Sequence, residues 1–365
     1  MTPQYALEAN ELIVNRGGRR ILDVPSFQAT SGEVLAVIGP NGSGKTTLIQ
    51  CLALLLNPDS GIISYNDHRI SGGRSALHQR RRLAVVFQEP LLLRGTVHDN
   101  VSLGLRLRGF SHEEITSRVN RWLERFGIAG LANRQAATLS GGEAQRASLA
   151  RAFALEPDVM FLDEPFAALD APTRQSLTGE LSQVLRETRT TTVMVTHNRN
   201  EALALGDRVA VLMEGQIRQT GTPQSVFTYP ADEAVAAFVG VENILQGTVI
   251  AQNGGVAVVS IAGGRNIDAV SDLVEGQPAA VCLRPEDITL TAYEKNAAWT
   301  SARNRLPCRV VGLSPGGAQT RVHLDCGTGL VALITTRSCQ ELGLIPGKEV
   351  TASFKATSVH LIPRR

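Results

Sequence analysis

Nine consecutive residues, Gly39-Pro40-Asn41-Gly42-Ser43-Gly44-Lys45-Thr46-Thr47, have the types and spacing to hold phosphate. They fit G-x-x-x-x-G-K-[ST], in which glycines let the backbone wrap closely around phosphate oxygens and successive N–H groups face the anion. Lys45 is placed to reach the β- and γ-phosphates of a nucleotide, and the Thr46 hydroxyl to ligate Mg²⁺. A second string, Val159-Met160-Phe161-Leu162-Asp163-Glu164-Pro165, is an apolar run ending in two carboxylates. A buried strand can set Asp163 beside the phosphate loop to hold Mg²⁺, with Glu164 next to it to activate the attacking water. A third string, Leu139-Ser140-Gly141-Gly142-Glu143-Ala144-Gln145-Arg146, opens a helical run with Ser140 and two glycines, another anion-binding helix start. Ser140 stands 95 residues after Lys45 and 23 before Asp163.

These residues need elements to position them. The apolar run 33–38 predicts a buried strand entering the phosphate loop, and 48–56 a helix leaving it. Runs at 83–87, 159–162, 192–196 and 209–213 predict further strands, and 119–126 and 143–155 predict helices. This alternation implies an α/β layer with a mostly parallel sheet over residues 1–240, with a mainly helical subdomain at about 91–150. Beyond 240 the texture becomes all-β. Short alternating runs at 256–261, 309–313, 320–324 and 350–354 are punctuated by Gly-Gly pairs, consistent with small barrels over 241–365.

Composition bounds the function. A chain of 365 residues suggests two or three domains, and 43% hydrophobic with 19% charged residues suits a soluble globular protein. A net charge of +2 gives no argument for a nucleic-acid partner; Arg19-Arg20 and Arg80-Arg81-Arg82 are short and read as solvated faces. The five cysteines form no C-x-x-C pair and no His/Cys array, which argues against zinc and against a disulfide framework and suits a reducing compartment. The N-terminus reads as carrying no signal peptide, and no run approaches the length of a membrane span. A membrane role must therefore come through a partner.

Taken together, the three strings resemble the ABC transporter ATPase family over about residues 5–240. Gln88 after a strand, Ala168-Leu169-Asp170, and His197 after Val193-Met194-Val195-Thr196 match further motifs of that family. The resemblance implies a P-loop NTPase fold and ATP hydrolysis with Mg²⁺. It implies a head-to-tail homodimer in which each ATP meets the phosphate loop of one subunit and Ser140, Gly141, Gly142 and Glu143 of the other. Gln88 would sense Mg²⁺ and the nucleophilic water, His197 would contact the γ-phosphate, and Asp170 would organise the dimer contact. The family usually stacks an upstream aromatic residue on adenine. Here Arg16 holds that position, and a guanidinium plane can stack on a base.

The stretch 88–101 resembles the importer branch, where it lies against the membrane partner. The resemblance implies integral membrane permease subunits, an extracytoplasmic substrate-binding protein acting indirectly, and a peripheral place on the cytoplasmic face of the membrane. In the tail, Leu283-Arg284-Pro285-Glu286-Asp287-Ile288 is similar to a string of importer C-terminal OB-like barrels. Thr300-Ser301-Ala302-Arg303-Asn304-Arg305-Leu306 and Phe354-Lys355-Ala356-Thr357-Ser358-Val359 resemble a molybdate-binding, TOBE-type domain. Ser301, Arg303, Lys355 and Ser358 could then supply donors and charge for a tetrahedral dianion. The same residues could instead merely hold the barrel together. The readings are an importer ATPase for molybdate or tungstate, one for another solute such as sulfate, phosphate, iron or sugar, or a soluble oxyanion-sensing ATPase.

Overall fold

The computed structural model describes residues 4–70, 72–293 and 300–364. It divides into two compact units, residues 1–226 and 227–365.

The first unit begins with a long hairpin, β1 (Tyr5–Arg16) and β2 (Arg19–Thr30), turned through Gly17 and Gly18, both at positive φ. β3 (Val34–Ile38) is buried throughout and delivers the chain into the phosphate loop, from which α1 (Lys45–Leu52) departs. Next come β4 (Ser60–Tyr65), β5 (His68–Arg69), α2 (Gly73–Arg80) and β6 (Leu83–Val86). Three helices follow, α3 (Val97–Leu107), α4 (His112–Arg125) and α5 (Gly141–Ala154). Each starts on a Ser/Thr N-cap, Thr96, Ser111 and Ser140, closed by an acidic residue three positions on, which satisfies the first free N–H groups. The chain continues through β7 (Val159–Asp163), α6 (Ala171–Thr188), β8 (Thr191–Thr196), α7 (Arg199–Leu205), β9 (Arg208–Met213), β10 (Gln216–Gly221) and α8 (Pro223–Thr228).

The six-stranded sheet has the order β10-β9-β3-β8-β7-β6, parallel except for β10 at the edge. Parallel strands covered on both faces read as continuous apolar runs, which is why β3, β7 and β8 stand out in the sequence. A second, antiparallel sheet of order β2-β1-β4-β5 was not anticipated. Its inward residues, among them Leu7, Leu12 and Val24, share one core with Leu48 and Leu52 of α1 and with Phe161 and Val195 of the parallel sheet.

The second unit starts before the expected boundary at 240. Helix α9 (Glu233–Phe238) leads into β11 (Asn243–Asn253), and Gln246 Nε2 donates to Glu233 Oε2 at 2.9 Å. Arg284 donates to the Phe227 carbonyl and His360 bonds the Pro230 carbonyl, so the 227–240 segment belongs with the β structure.

The rest of the unit is β12 (Val256–Ile261), β13 (Arg265–Val270), β14 (Pro278–Leu283), β15 (Thr289–Ala292), β16 (Asn304–Gly316), β17 (Gln319–Asp325), β18 (Gly329–Thr335), α10 (Thr336–Glu341), β19 (Glu349–Phe354) and β20 (Val359–Pro363). These strands make two antiparallel sheets, β13-β12-β11-β14-β20 and β18-β17-β16-β19-β15, around one core. The two sheets have the same topology, and each takes its fifth strand from the other half. A 3₁₀ turn separates β14 from β15 and another separates β19 from β20, preceded by Arg284 (φ −79°, ψ 142°) and Lys355 (φ −78°, ψ 148°). The unit is an internal duplication.

One expectation is corrected. Cys308 and Cys326 form a disulfide. Their spacing looks unpaired in sequence, but the antiparallel register that sets Arg309 against Asp325 brings the two thiols face to face. Cys51, Cys282 and Cys339 are free and buried.

Candidate functional site

The phosphate loop is forced into its shape by close neighbours. A Cβ on Gly39 would lie 2.0 Å from the Leu212 carbonyl oxygen, and one on Gly44 (φ 102°) would lie 2.7 Å from Leu22 Cδ2. Only glycine fits either place. Lys45 Nζ donates to the carbonyls of Gly39 and Pro40, 3.0 Å each, leaving a third N–H for a phosphate oxygen. Burial lowers the Lys45 pKa, while the charges of Glu164 and Asp163 act the other way. Among the described residues the buried Ser43 hydroxyl has no hydrogen-bond partner.

Thr46 Oγ1 donates to Asp163 Oδ1 at 3.3 Å, joining the start of α1 to the end of β7. An oxygen pair of hydroxyl and carboxylate is the donor set of a hard divalent cation, so these residues fit Mg²⁺. Burial raises the Asp163 pKa; the Thr46 bond and the Lys45 charge oppose it, and the Glu164 charge adds to it. Glu164 follows in a left-handed conformation (φ 46°), its N–H held by the Val195 carbonyl at 3.0 Å. Its Oε2 lies 2.8 Å from His197 Nδ1, just past the end of β8. A cavity of ≈ 710 Å³ is lined by Asn41, Gly42, Gly44, Lys45, Thr46 and Thr47, and from the other strands by Gln88, Glu164 and His197. One cavity therefore collects most of the nucleotide residues named from the sequence.

Arg16 is not among its lining residues. It ends β1 beside the glycine turn, and the residue of the hairpin that reaches the cavity is Ile21. Ser140, Gly141, Gly142, Glu143 and Asp170 also lie outside the lining. Ser140 caps α5: its Oγ accepts from Glu143 N and its N–H donates to Glu143 Oε2 at 2.7 Å. Asp170 caps α6, accepting from Thr173 N at 3.0 Å, and the two helix starts meet where a Cβ on Gly142 would press on Thr173 Cγ2 at 2.8 Å.

A separate cavity of ≈ 640 Å³ lies in the second unit. It gathers Ser301, Lys355 and Ser358, with Arg305, Thr289, Thr351 and further hydroxyls that the sequence reading did not single out. Glu286 and Asp287 line it too, and burial, helped by the Glu286 charge, raises the Asp287 pKa. Arg303 is not in the lining; its Nε pairs with Asp268 Oδ2 at 2.7 Å. The duplication points to a second observation. Arg284, the counterpart of Lys355, donates to a carbonyl oxygen of the 227–230 segment, so its position already receives an electron-rich oxygen.

Comparison with known proteins bears on both units. The pattern of the family described as ABC transporter matches residues 22–167, and that of the TOBE domain matches residues 300–361. The molybdate/tungstate import ATP-binding protein WtpC of Pyrococcus horikoshii is 38% identical over 93% of this chain and 94% of its own. The sulfate/thiosulfate import ATP-binding protein CysA 2 of Chromobacterium violaceum is 36% identical over 98% and 95%. Among solved structures, cbiO1 of Clostridium perfringens, part of the ABC transporter complex cbiONQ, superposes with a TM-score of 0.58 at 31% identity, over 66% of this chain and 96% of its own.

Proposed function

Because the chain belongs to the ABC transporter family and is one of its ATP-hydrolysing subunits, we propose that it drives import of an oxyanion, molybdate or tungstate. The observation that carries the substrate reading is the cavity in the second unit, where Lys355 and Arg305 stand among hydroxyls of Ser301, Ser358, Thr289 and Thr351. Hydroxyl and ammonium donors suit an anion with several oxygens. The P. horikoshii relative is named for molybdate and tungstate, the C. violaceum relative for sulfate and thiosulfate, and sulfate is the second reading.

In the nucleotide cavity the backbone of residues 39–47 and Lys45 bind the phosphates. Mg²⁺ held by Thr46 and Asp163, with Gln88 near it, would neutralise charge on the phosphates. Glu164 acts as general base toward the attacking water, and His197 fixes the carboxylate by their 2.8 Å bond. Ser140–Glu143 and Asp170 lie outside this cavity, which supports a homodimer in which they complete the partner's site. Gln88 leads into a segment tied to the helical subdomain. Arg151 of α5 donates to the Pro90 and Leu91 carbonyls, and Asn100 of α3 bonds both backbone groups of Leu93. Leu91 and Leu93 are more than half exposed and Leu107 is 78% exposed, apolar surface open to a partner such as a membrane permease. No described helix is long and apolar enough to cross a membrane.

Calorimetry of the purified chain with molybdate, tungstate, sulfate and phosphate tests the substrate. Molybdate and tungstate should bind, and Lys355→Ala should weaken binding about tenfold, as expected for one charge-assisted contact of ~1.4 kcal/mol or more. Tighter sulfate binding would install the second reading, and no binding of any oxyanion would make the cavity structural.

A further inference from the structure

Glu201 of α7 is only 6% exposed, and it has no place in the chemistry described so far. Its Oε2 accepts from Thr196 Oγ1 at 2.5 Å. Thr196 Oγ1 in turn accepts from Asn198 N at 3.0 Å. These bonds close the turn that carries His197 by fixing the residues on both sides of it. The other oxygen, Oε1, faces Arg174 Nε of α6 at 4.0 Å. Arg174 donates Nε to the Phe166 carbonyl at 3.3 Å and Nη2 to the Leu169 carbonyl at 2.8 Å. Phe166 and Leu169 belong to the segment running from Glu164 to Asp170. A continuous run of polar contacts therefore links the His197 turn, α7, α6 and the segment after Glu164.

We propose that Arg174 and Glu201 are positioning residues that hold the Glu164 segment and the His197 turn as one piece, setting the Glu164–His197 contact before ATP arrives. The proposal rests on the roles given above to Glu164 and His197. Glu164 is in a left-handed backbone conformation, which persists only where surrounding contacts over-determine it. The backbone bond to Val195 supplies one such contact, and the Arg174 clamp on the next carbonyls supplies two more. Glu201 also lies within electrostatic reach of the site. Burial raises its pKa, with Thr196 and Arg174 pulling the other way, and the charges of His197 and Glu164 also act on it. A base held in place needs no reorganisation when charge develops. A misplacement of about 1 Å can cost on the order of 10²-fold in rate.

The test is steady-state ATP hydrolysis by the full chain, with kcat and KM separated. Thermal unfolding is followed on every variant. Glu201→Ala and Arg174→Ala should lose roughly 10- to 10²-fold in kcat, with KM for ATP within about threefold of wild type. Glu201→Gln keeps an oxygen that accepts from Thr196 and should recover most of the loss. If Glu201→Ala folds poorly, Thr196→Ser and Thr196→Val take its place: the serine keeps the hydroxyl and should keep kcat, and the valine should lose it. Folded Glu201→Ala or Thr196→Val protein with wild-type kcat overturns the proposal, as does a loss confined to KM or to unfolding temperature. Glu164→Gln is measured alongside. If it hydrolyses ATP at a near wild-type rate, the base assignment itself falls and the positioning role falls with it.

Discussion

Asp163 is defined by its burial. Desolvation raises its pKa, and the Thr46 bond and Lys45 charge only partly offset this. A carboxyl whose folded pKa lies above the unfolded value takes up a proton more readily when folded. Its favourable contribution is complete below the ordinary value of 3.8 and is lost as pH rises through the folded pKa. Asp163→Asn keeps an oxygen to accept from Thr46 and cannot titrate. Without nucleotide or metal, the variant and wild type should unfold at similar temperatures below the ordinary Asp range. The difference should then grow in favour of the variant as pH rises above that range and through the folded pKa. Thermal scans with rising pH check it; a difference growing in favour of wild type would mean that the Thr46 bond and the Lys45 charge outweigh burial. The same substitution should abolish hydrolysis, because a neutral amide is a poor ligand for a hard dication.

Two asparagines show what elements add to residues. Asn304 Nδ2 donates to the Asp268 carbonyl at 2.9 Å and its Oδ1 accepts from Asp268 N at 2.7 Å. Asp268 lies on β13, an edge strand of the other sheet, so the side-chain amide stands in for a missing neighbour strand. Asn243 does the same for Val331 on β18, the edge strand of the second sheet. Each half of the duplication thus closes the edge of the other. Asn304→Ala removes two hydrogen bonds and leaves a partly buried backbone pair open, which should cost about 2–3 kcal/mol in denaturant unfolding of the full chain. A loss under about 0.5 kcal/mol would mean that water replaces the amide without penalty. None of this was legible in the sequence. The phosphate loop, the Asp163-Glu164 strand end and the start of α5 were legible because their geometry is local. The antiparallel sheet of β1, β2, β4 and β5, the amide clamps, the Cys308–Cys326 pair and the exchanged fifth strands depend on partners far along the chain. The duplication had one faint trace. Leu283-Arg284-Pro285-Glu286-Asp287-Ile288 and Phe354-Lys355-Ala356-Thr357-Ser358-Val359 hold matching places before β15 and β20, yet their side chains differ too much to align by type.

At the scale of the whole molecule, the proposed homodimer makes a mixing experiment decisive. Lys45→Ala chains would lack the proposed phosphate contact and Ser140→Arg chains the proposed contribution of Ser140 to the partner's site, so each alone should be inactive. Mixed dimers hold one intact composite site, and random pairing should restore about a quarter of wild-type activity. No recovery in proven mixed dimers would mean strictly coupled sites or a wrong role for Ser140. The disulfide tests whether the two units answer separately to the same change. Cys308 and Cys326 are 18 residues apart and both lie in the second unit. Burial pushes the Cys51 and Cys282 thiols up to about 12, so near neutral pH neither is a thiolate able to attack the bridge. Closing a loop of this length constrains the unfolded chain by about 3 kcal/mol. Reduction should therefore lower the unfolding temperature of the second unit by on the order of 10 °C. The first unit, whose one cysteine is Cys51, should unfold where it did before and keep its upward shift with ATP. Calorimetric scans with and without a phosphine reductant measure both transitions, and Cys308→Ser should reproduce the reduced value and ignore the reductant. A wild-type second transition indifferent to reductant would show that the bridge is open in the protein as isolated. An equal fall in both transitions would show that the units unfold as one.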